Sequence, residues 1–409
     1  MVQLCETPNA ARRALLQAGG AMFAWAYMPR FALAAEGRDP RLVVIILRGA
    51  LDGLSAVAPV ADPDYAALHG QLALSLSGDH PALPLDGFFA LNPAMPIFAA
   101  LFAQRQAAIV HAVATPYRDR SHFDGQDVLE SGQAGPGLVD SGWLNRAMAV
   151  LPKGDRISKI DGLAVGATTP LVIRGPAPIV GWAPQIIPVA NEDLASRVLA
   201  LYQARDPRLA DSLVHGLSLD RIAGNAMTDK TMRGGMDTPQ GMRQAAIGAA
   251  RLLAAEDGPR VAALAFDGWD THVNEGGATG RLAQLLGGLD GAIGAFRDGL
   301  GESWRDTAIV VATEFGRTVH INGTTGTDHG TGTVAFLAGG AIKGGRVLAD
   351  WPGLAAARLY QSRDVMPTTD LRSVFKGLLQ DHLGLPQTIL DTTVLPGSIG
   401  VRPIQGLVV

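Results

Sequence analysis

The run Leu42-Val43-Val44-Ile45-Ile46-Leu47 decides the fold. It is apolar without interruption and rich in β-branched residues, which describes a strand covered on both faces rather than one with a solvated side. Similar runs recur at Ala107 to Val113, at Val261-Ala262-Ala263-Leu264-Ala265-Phe266 and at Thr307-Ala308-Ile309-Val310-Val311-Ala312-Thr313. Val334-Ala335-Phe336-Leu337 is expected to form a further strand. Between these runs the period changes. Pro96 to Gln104 reads as a helix, Leu282, Leu285, Leu286, Leu289, Ile293 and Phe296 recur at helical spacing, and a helix from Asp370 to Leu383 is stopped by Gly384 and Pro386. This alternation predicts an α/β fold with a largely parallel central sheet and helices on both faces.

In such sheets, sites form beyond the carboxyl ends of the strands. Polar clusters stand at those places: Arg48-Gly49-Ala50-Leu51-Asp52-Gly53, Arg120-Ser121-His122-Phe123-Asp124, Asp267-Gly268-Trp269-Asp270-Thr271-His272, and Glu314-Phe315-Gly316-Arg317 followed by Thr327-Asp328-His329-Gly330. They read as one site. Carboxylate oxygen with imidazole nitrogen suits a divalent metal, Zn or Mn best. Plainer readings stand beside this one. Asp52-Gly53 is also a strong turn dipeptide. Ser121 also serves as a helix N-cap with Asp124 in the first turn, a place that favours anions in any case. Arg317 suits clamping an anionic substrate, with Glu314 orienting an Arg or His, but equally a surface ion pair.

Composition narrows the function classes. The 409 residues are 47% hydrophobic and 18% charged with a formal net charge of -4, so there is no basic footprint and nucleic acid is not expected as a partner. Residues 1–35 read as an export signal: Arg12-Arg13, a soft apolar stretch from Ala14 to Tyr27 containing Gly19-Gly20, then Ala32-Leu33-Ala34-Ala35. The paired arginines point to the twin-arginine translocase as partner during export, and so to a periplasmic or otherwise exported protein. No later segment has the ~18 unbroken apolar residues of a membrane span. The single cysteine, Cys5, lies in the leader, so any metal must be held by His, Asp, Glu or backbone oxygen. Residues 36–409 are expected to form one α/β domain with a mainly helical insertion or cap around 137–258. There is no G-x-S-x-G, P-loop, H-E-x-x-H or strand–G-x-G-x-x-G–helix pattern.

Taken together with Thr369-Asp370-Leu371-Arg372-Ser373-Val374, these motifs resemble domain-of-unknown-function family 1501, bacterial exported proteins similar to the alkaline phosphatase/sulfatase superfamily. The resemblance implies an alkaline-phosphatase-like α/β fold. It also implies one metal held by Asp52, Ser121, Asp328 and His329. The superfamily's second metal uses an Asp and a His four residues apart plus a later His. This chain departs from that pattern: Asp270 and His272 are two apart, Thr271 is four beyond Asp267, and the only histidine after His329, His382, falls in a packed helix. One or two ions are therefore expected, with Asp270 and His272 binding the second or orienting water. Ser121 would be the nucleophile, beside His122, with Arg48, Arg120 or Arg317 stabilising charge on the transferring group. A formylglycine sulfatase is not expected, because Ser121 is followed by His-Phe-Asp. The expected activity is metal-dependent hydrolysis of a small anionic ester of phosphate or sulfate. The rival is a non-catalytic envelope protein that retains the fold.

Overall fold

β1 (Arg41–Leu47) is buried along its whole length and occupies the middle of a nine-stranded sheet in the computed structural model, which describes residues 38–151, 162–184, 192–217 (208, 212 and 215 apart) and 235–409. The other strands are β2 (Ala107–Ala114), β3 (Gly162–Val165), β4 (Ile179–Trp182), β5 (Val261–Phe266), β6 (Thr307–Thr313), β7 (Thr333–Ala338), β8 (Arg346–Leu348) and β9 (Thr369–Asp370). Their order is β8-β2-β7-β6-β1-β5-β3-β4, with β9 beside β2. β1 pairs in parallel with β5 and β6, Ile45 standing opposite both Leu264 and Val311. A second, three-stranded sheet joins Val57–Ala58, Ala90–Leu91 and Leu83–Pro84.

The unbroken apolar run of β1 serves two cores. Val43, Ile45 and Leu47 pack with the helices Pro96–Ala103, Pro239–Ala254 and Arg281–Leu300, while Leu42, Val44 and Ile46 pack with Trp143–Val150 and Leu371–Asp381. The period of two along a strand sends alternate side chains to opposite faces, so helices cover both. In Arg281–Leu300 the residues read at helical spacing, among them Leu282, Leu286, Leu289 and Phe296, are buried as that stripe requires.

Two features differ from the sequence reading. β7 runs antiparallel to both neighbours, whereas the other pairings of this sheet are parallel. An apolar run fixes the strand but not its direction. The segment 137–258, expected to be mainly helical, also adds β3 and β4 to the sheet beyond β5, Ala164 pairing with Ala263. Each is only four residues long, too short for periodicity to reveal. Residues Pro40–Val409 form one compact unit. The expected leader, residues 1–35, lies outside the described residues. Among the described residues no helix is long and apolar enough to cross a membrane.

The direction of β7 matters for function. Carboxyl ends of β1, β2, β5 and β6 share one edge of the sheet, and an antiparallel β7 begins at that same edge. The link from Glu314 to Gly332 thus leaves β6 and re-enters the sheet without crossing to the far side.

Candidate metal centre

Close backbone packing brings the edge loops together. Gly49 has φ +124°, and a Cβ there would stand 2.3 Å from the Asp270 amide nitrogen, so only glycine lets the β1 exit lie against the β5 exit. The Trp269 amide donates to the Arg48 carbonyl at 3.1 Å across the same contact. Gly326 repeats the device, since a Cβ on it would meet the His272 carbonyl at 2.3 Å. Below these loops the buried Glu275 accepts from the hydroxyls of Thr271 at 2.8 Å and Thr327 at 2.7 Å.

Three imidazoles and one carboxylate converge above them. The Nε2 atoms of His122 and His272 each lie 2.9 Å from His329 Nε2. Asp270 places Oδ1 3.1 Å from His272 Nε2 and 3.6 Å from His329 Nε2, and Oδ2 3.6 Å from His122 Nε2. Donor atoms of His122, Asp270 and His329 fall within 4.8 Å of one another. With metal–ligand bonds of about 2.0–2.1 Å, neighbouring donors of a tetrahedron stand about 3.3 Å apart. The spacings of 2.9 to 3.6 Å bracket that value; among the described residues the set whose donors all lie within reach of one another is His122, Asp270 and His329, and His272 touches two of them.

The opposite ring nitrogens face acceptors. His122 Nδ1 is 2.8 Å from Glu314 Oε1, His329 Nδ1 is 3.0 Å from the Arg120 carbonyl, and His272 Nδ1 is 3.4 Å from Asp328 Oδ1. A carbonyl only accepts, so His329 carries its proton on Nδ1 and turns the Nε2 lone pair inward. That single lone pair faces two other Nε2 atoms at 2.9 Å. One N–H can satisfy only one such contact. Rings held by acceptors on one nitrogen, with the other nitrogens converging, are the arrangement metal-binding histidines use.

Electrostatics follow the same plan. Burial opposes charge on Glu314, but hydrogen bonds from His122, Gln126 and the Gly49 amide hold its carboxyl below the usual range. In return the Glu314 hydrogen bond raises His122. His329 is lowered, by burial first and then by the positive fields of His122 and Arg317. Burial likewise opposes charge on Asp270, and the Arg317 guanidinium outweighs it, lowering that carboxyl.

The structure gathers only part of the expected ligand set. His329, His272 and Asp270 are in the cluster, and His122, expected among the catalytic residues, joins them there. Asp52 stands outside it: its Oδ1 caps Gly53–Ala56 through the Leu54 amide, and its Oδ2 pairs with the fully buried His69 at 3.1 Å. Asp328 is 58% exposed and supports His272 from behind, while Asn322 donates to it at 3.2 Å. Ser121 is the N-cap residue of His122–Ser131, and its hydroxyl makes no capping bond.

The arginines are committed to protein partners. Arg317, a side chain with no exposure, donates to the carbonyls of Ala50 at 2.8 Å and Thr327 at 3.2 Å, to the Gly49 carbonyl and to Asp270. The surface ion pair weighed from sequence is therefore a buried clamp. Arg120, at φ +59°, gives Nε and Nη2 to the buried Asp364, which also receives the Thr331 hydroxyl at 2.8 Å. Arg48 pairs with the buried Glu130 at 2.7 Å. Sequence reasoning missed His69, Glu275 and Asp364 entirely. Each lies in an ordinary polar context, and contacts that fix it reach across the chain: His69 to the Val319 carbonyl, Glu275 to Thr327 and Asp364 to Arg120.

The family model described as "Protein of unknown function (DUF1501)" matches residues 89–394. No curated protein matches the chain by sequence. Among solved structures the chain is similar to Ps i-CgsB in complex with k-i-k-neocarrahexaose, at 9% identity and TM-score 0.43, covering 90% of this chain and 77% of that one. It is similar to the phosphonate monoester hydrolase of Agrobacterium radiobacter at 14% identity and TM-score 0.32, covering 85% and 74%. It is also similar to a TAB5 alkaline phosphatase mutant with Mg bound, at 12% identity and TM-score 0.34, covering 74% and 91%. Likenesses of this depth carry no argument about chemistry. The family match, spanning most of the length and including Ser121, Asp270, His272 and His329, places the chain in the DUF1501 family.

Proposed function

We infer that this chain is an exported, metal-dependent hydrolase of phosphate or sulfate esters, with one divalent cation held by His122, His272, His329 and Asp270. The carrying observation is the convergence of three Nε2 atoms whose opposite nitrogens all face acceptors. The donor set, nitrogen with one carboxylate, suits Zn or Mn. A divalent cation there supplies Lewis acidity toward an ester oxygen. Asp52 and Ser121 take no part in the cluster, which favours one ion over the two-ion arrangement.

Ser121 precedes His122 directly, at the amino end of a ten-residue helix where backbone N–H groups favour an anion. Its Oγ attacks the central phosphorus or sulfur, forming the serine ester while the bond to the substrate's alcohol breaks. The hydroxyl proton leaves with that alcohol. Water then cleaves the serine ester and releases the inorganic anion. Tyr117, whose hydroxyl accepts from the Ser121 amide at 3.4 Å and donates to Asp124 at 3.2 Å, holds the serine's backbone in place.

A second reading, a metal-binding envelope protein without turnover, draws support from the arginines. Arg317 and Arg120 are already matched to carboxylates, leaving less cationic surface for a transferring anion. Metal content by elemental mass spectrometry, with turnover of p-nitrophenyl phosphate and p-nitrophenyl sulfate, separates the two. Turnover lost in Ser121→Ala with metal retained supports the hydrolase. Unchanged turnover in that variant removes Ser121 as nucleophile, and metal without turnover leaves the binding protein.

A further inference from the structure

A cavity of about 190 Å³ opens at the carboxyl ends of β1, β5, β3 and β4, on the same edge of the sheet as the imidazole cluster, none of whose residues lines it. The placement follows from the chain. Arg48 lines the cavity, while the amide of the next residue, Gly49, donates at 2.9 Å to Glu314, the residue that holds His122. Asp267 lines it too, three residues before Asp270. No function derived above uses this space.

Its polar lining is of mixed character. Arg48 spends Nε and Nη2 on Glu130 at 3.2 and 2.7 Å, so Nη1 remains for the cavity. Among the described residues the side chains of Asp267 and Thr168, both on the lining, make no hydrogen bond. Val165, Pro184 and Met236 supply apolar wall. Arg48 serves both the buried Glu130 and Asp267, so among the described lining residues and their ion-pair partners carboxylates outnumber cations.

That combination selects a ligand class. A second anionic group would meet this excess of carboxylate charge. A purely apolar group would strip water from Asp267, Thr168 and Arg48 Nη1 without replacing its hydrogen bonds. Hydroxyl groups satisfy all three: a carboxylate accepts from a vicinal diol, a guanidinium donates to a hydroxyl oxygen, and threonine does either. The C–H faces of a sugar ring suit the apolar wall. We propose that this cavity is the subsite for the alcohol portion of the substrate and takes a neutral polyhydroxylated group, a sugar or sugar alcohol. Its use in turnover rests on the hydrolase reading, whereas binding is tested without it.

The test is saturation-transfer NMR on the metal-loaded protein with methyl α-glucopyranoside, glucuronate and benzyl alcohol as probes. The expected result is transfer to the ring protons of the neutral glucoside, with affinity falling about tenfold or more in Asp267→Ala and measurably in Thr168→Val, one good hydrogen bond to a charged group being worth about that factor. Circular dichroism melts establish that both variants are folded. No transfer to the glucoside, transfer unaltered in both variants, or a stronger response to glucuronate overturns the assignment. Hydrolysis of p-nitrophenyl phosphate, which has no polyol, reports on the hydrolase reading separately. Ester turnover without glucoside binding removes the subsite alone, and glucoside binding without ester turnover removes the hydrolase alone.

Discussion

The Thr327 hydroxyl donates to Glu275 Oε2 at 2.7 Å, and this bond ties the loop carrying His329 to the loop carrying His272. Thr271 completes the tie by donating to the other carboxylate oxygen at 2.8 Å. Each threonine immediately precedes a residue of the site, His272 or Asp328. Burial and then the neighbouring Asp52 charge push the Glu275 carboxyl up to about 8. Glu275→Ala leaves two hydroxyls without their acceptor in a fully buried place, a loss of about 1–3 kcal/mol. Expected outcomes are a lower melting temperature and faster loss of metal to a chelator, with Glu275→Gln recovering most of both. Chelator kinetics identical to wild type in Glu275→Ala would show that the tie does not position the donors.

Arg317 has a different role from the anion clamp that its sequence context suggests. Its planar fork reaches carbonyls from the β1 exit and the 327 loop as well as Asp270. Arg317→Ala leaves those acceptors and a carboxylate unmatched, at an expected cost of about 3–5 kcal/mol in urea unfolding. Arg317→Lys should recover little of it, because an ammonium cannot span the same fork. A variant with Lys as stable as wild type would contradict this account.

In the proposed metal centre Glu314 acts through His122, whose Nδ1 it holds at 2.8 Å. Removing its charge in Glu314→Gln should weaken metal binding about 10–100-fold, the usual effect of losing a partner behind a ligating histidine. Competition with a fluorescent chelator measures the shift. Because Glu314 also accepts from the Gly49 amide and from Gln126, melting should be followed in parallel.

Asp290 gives a pH signature remote from the site. It is 3% exposed and accepts from the amides of Ile97 at 3.0 Å and Phe98 at 2.7 Å, closing the start of Pro96–Ala103 from a neighbouring helix. Burial pushes its carboxyl up to about 6 from the ordinary 3.8. The folded state therefore holds more protons than the unfolded chain between those values. The stability this group contributes is fully present below about pH 4 and is lost as pH rises through about 6. Urea unfolding of wild type against Asp290→Asn at pH 4.5 and pH 7 should show the wild type losing more stability across that interval. Parallel pH profiles would remove the assignment.

Much of the frame was legible because strand identity is a local property. The runs at 42–47, 261–266 and 307–313 need both-face burial wherever they lie, and the sheet seats them side by side. Direction is not local, so β7 was recognisable as a strand but not as the antiparallel one. The site shows the same division. Residue types at strand ends identified the region, and Asp270, His272 and His329 were named from it. The placement of His122 among the clustered imidazoles depends on Glu314, 192 positions away in sequence. Asp52 was read outward as a ligand because His69, which turns it inward, sits in a stretch with no motif of its own.

The reversed strand has a consequence for the order in which the molecule assembles. β6 and β7 are neighbours in both sequence and space, with Phe336 opposite Val311, whereas β1 must find β5 across more than half the chain, Leu42 opposite Val261. Short-range closure is faster than long-range closure. The ribbon of β6 and β7 can thus mature early, already carrying His329, and wait for β5 to deliver Asp270 and His272. Pulsed hydrogen exchange should find amides of Val310 and Leu337 protected before those of Ala263 and Leu264. On the proposed metal reading, cation capture is the closing event of folding, and ion binding would certify that the most distant strands have found their places.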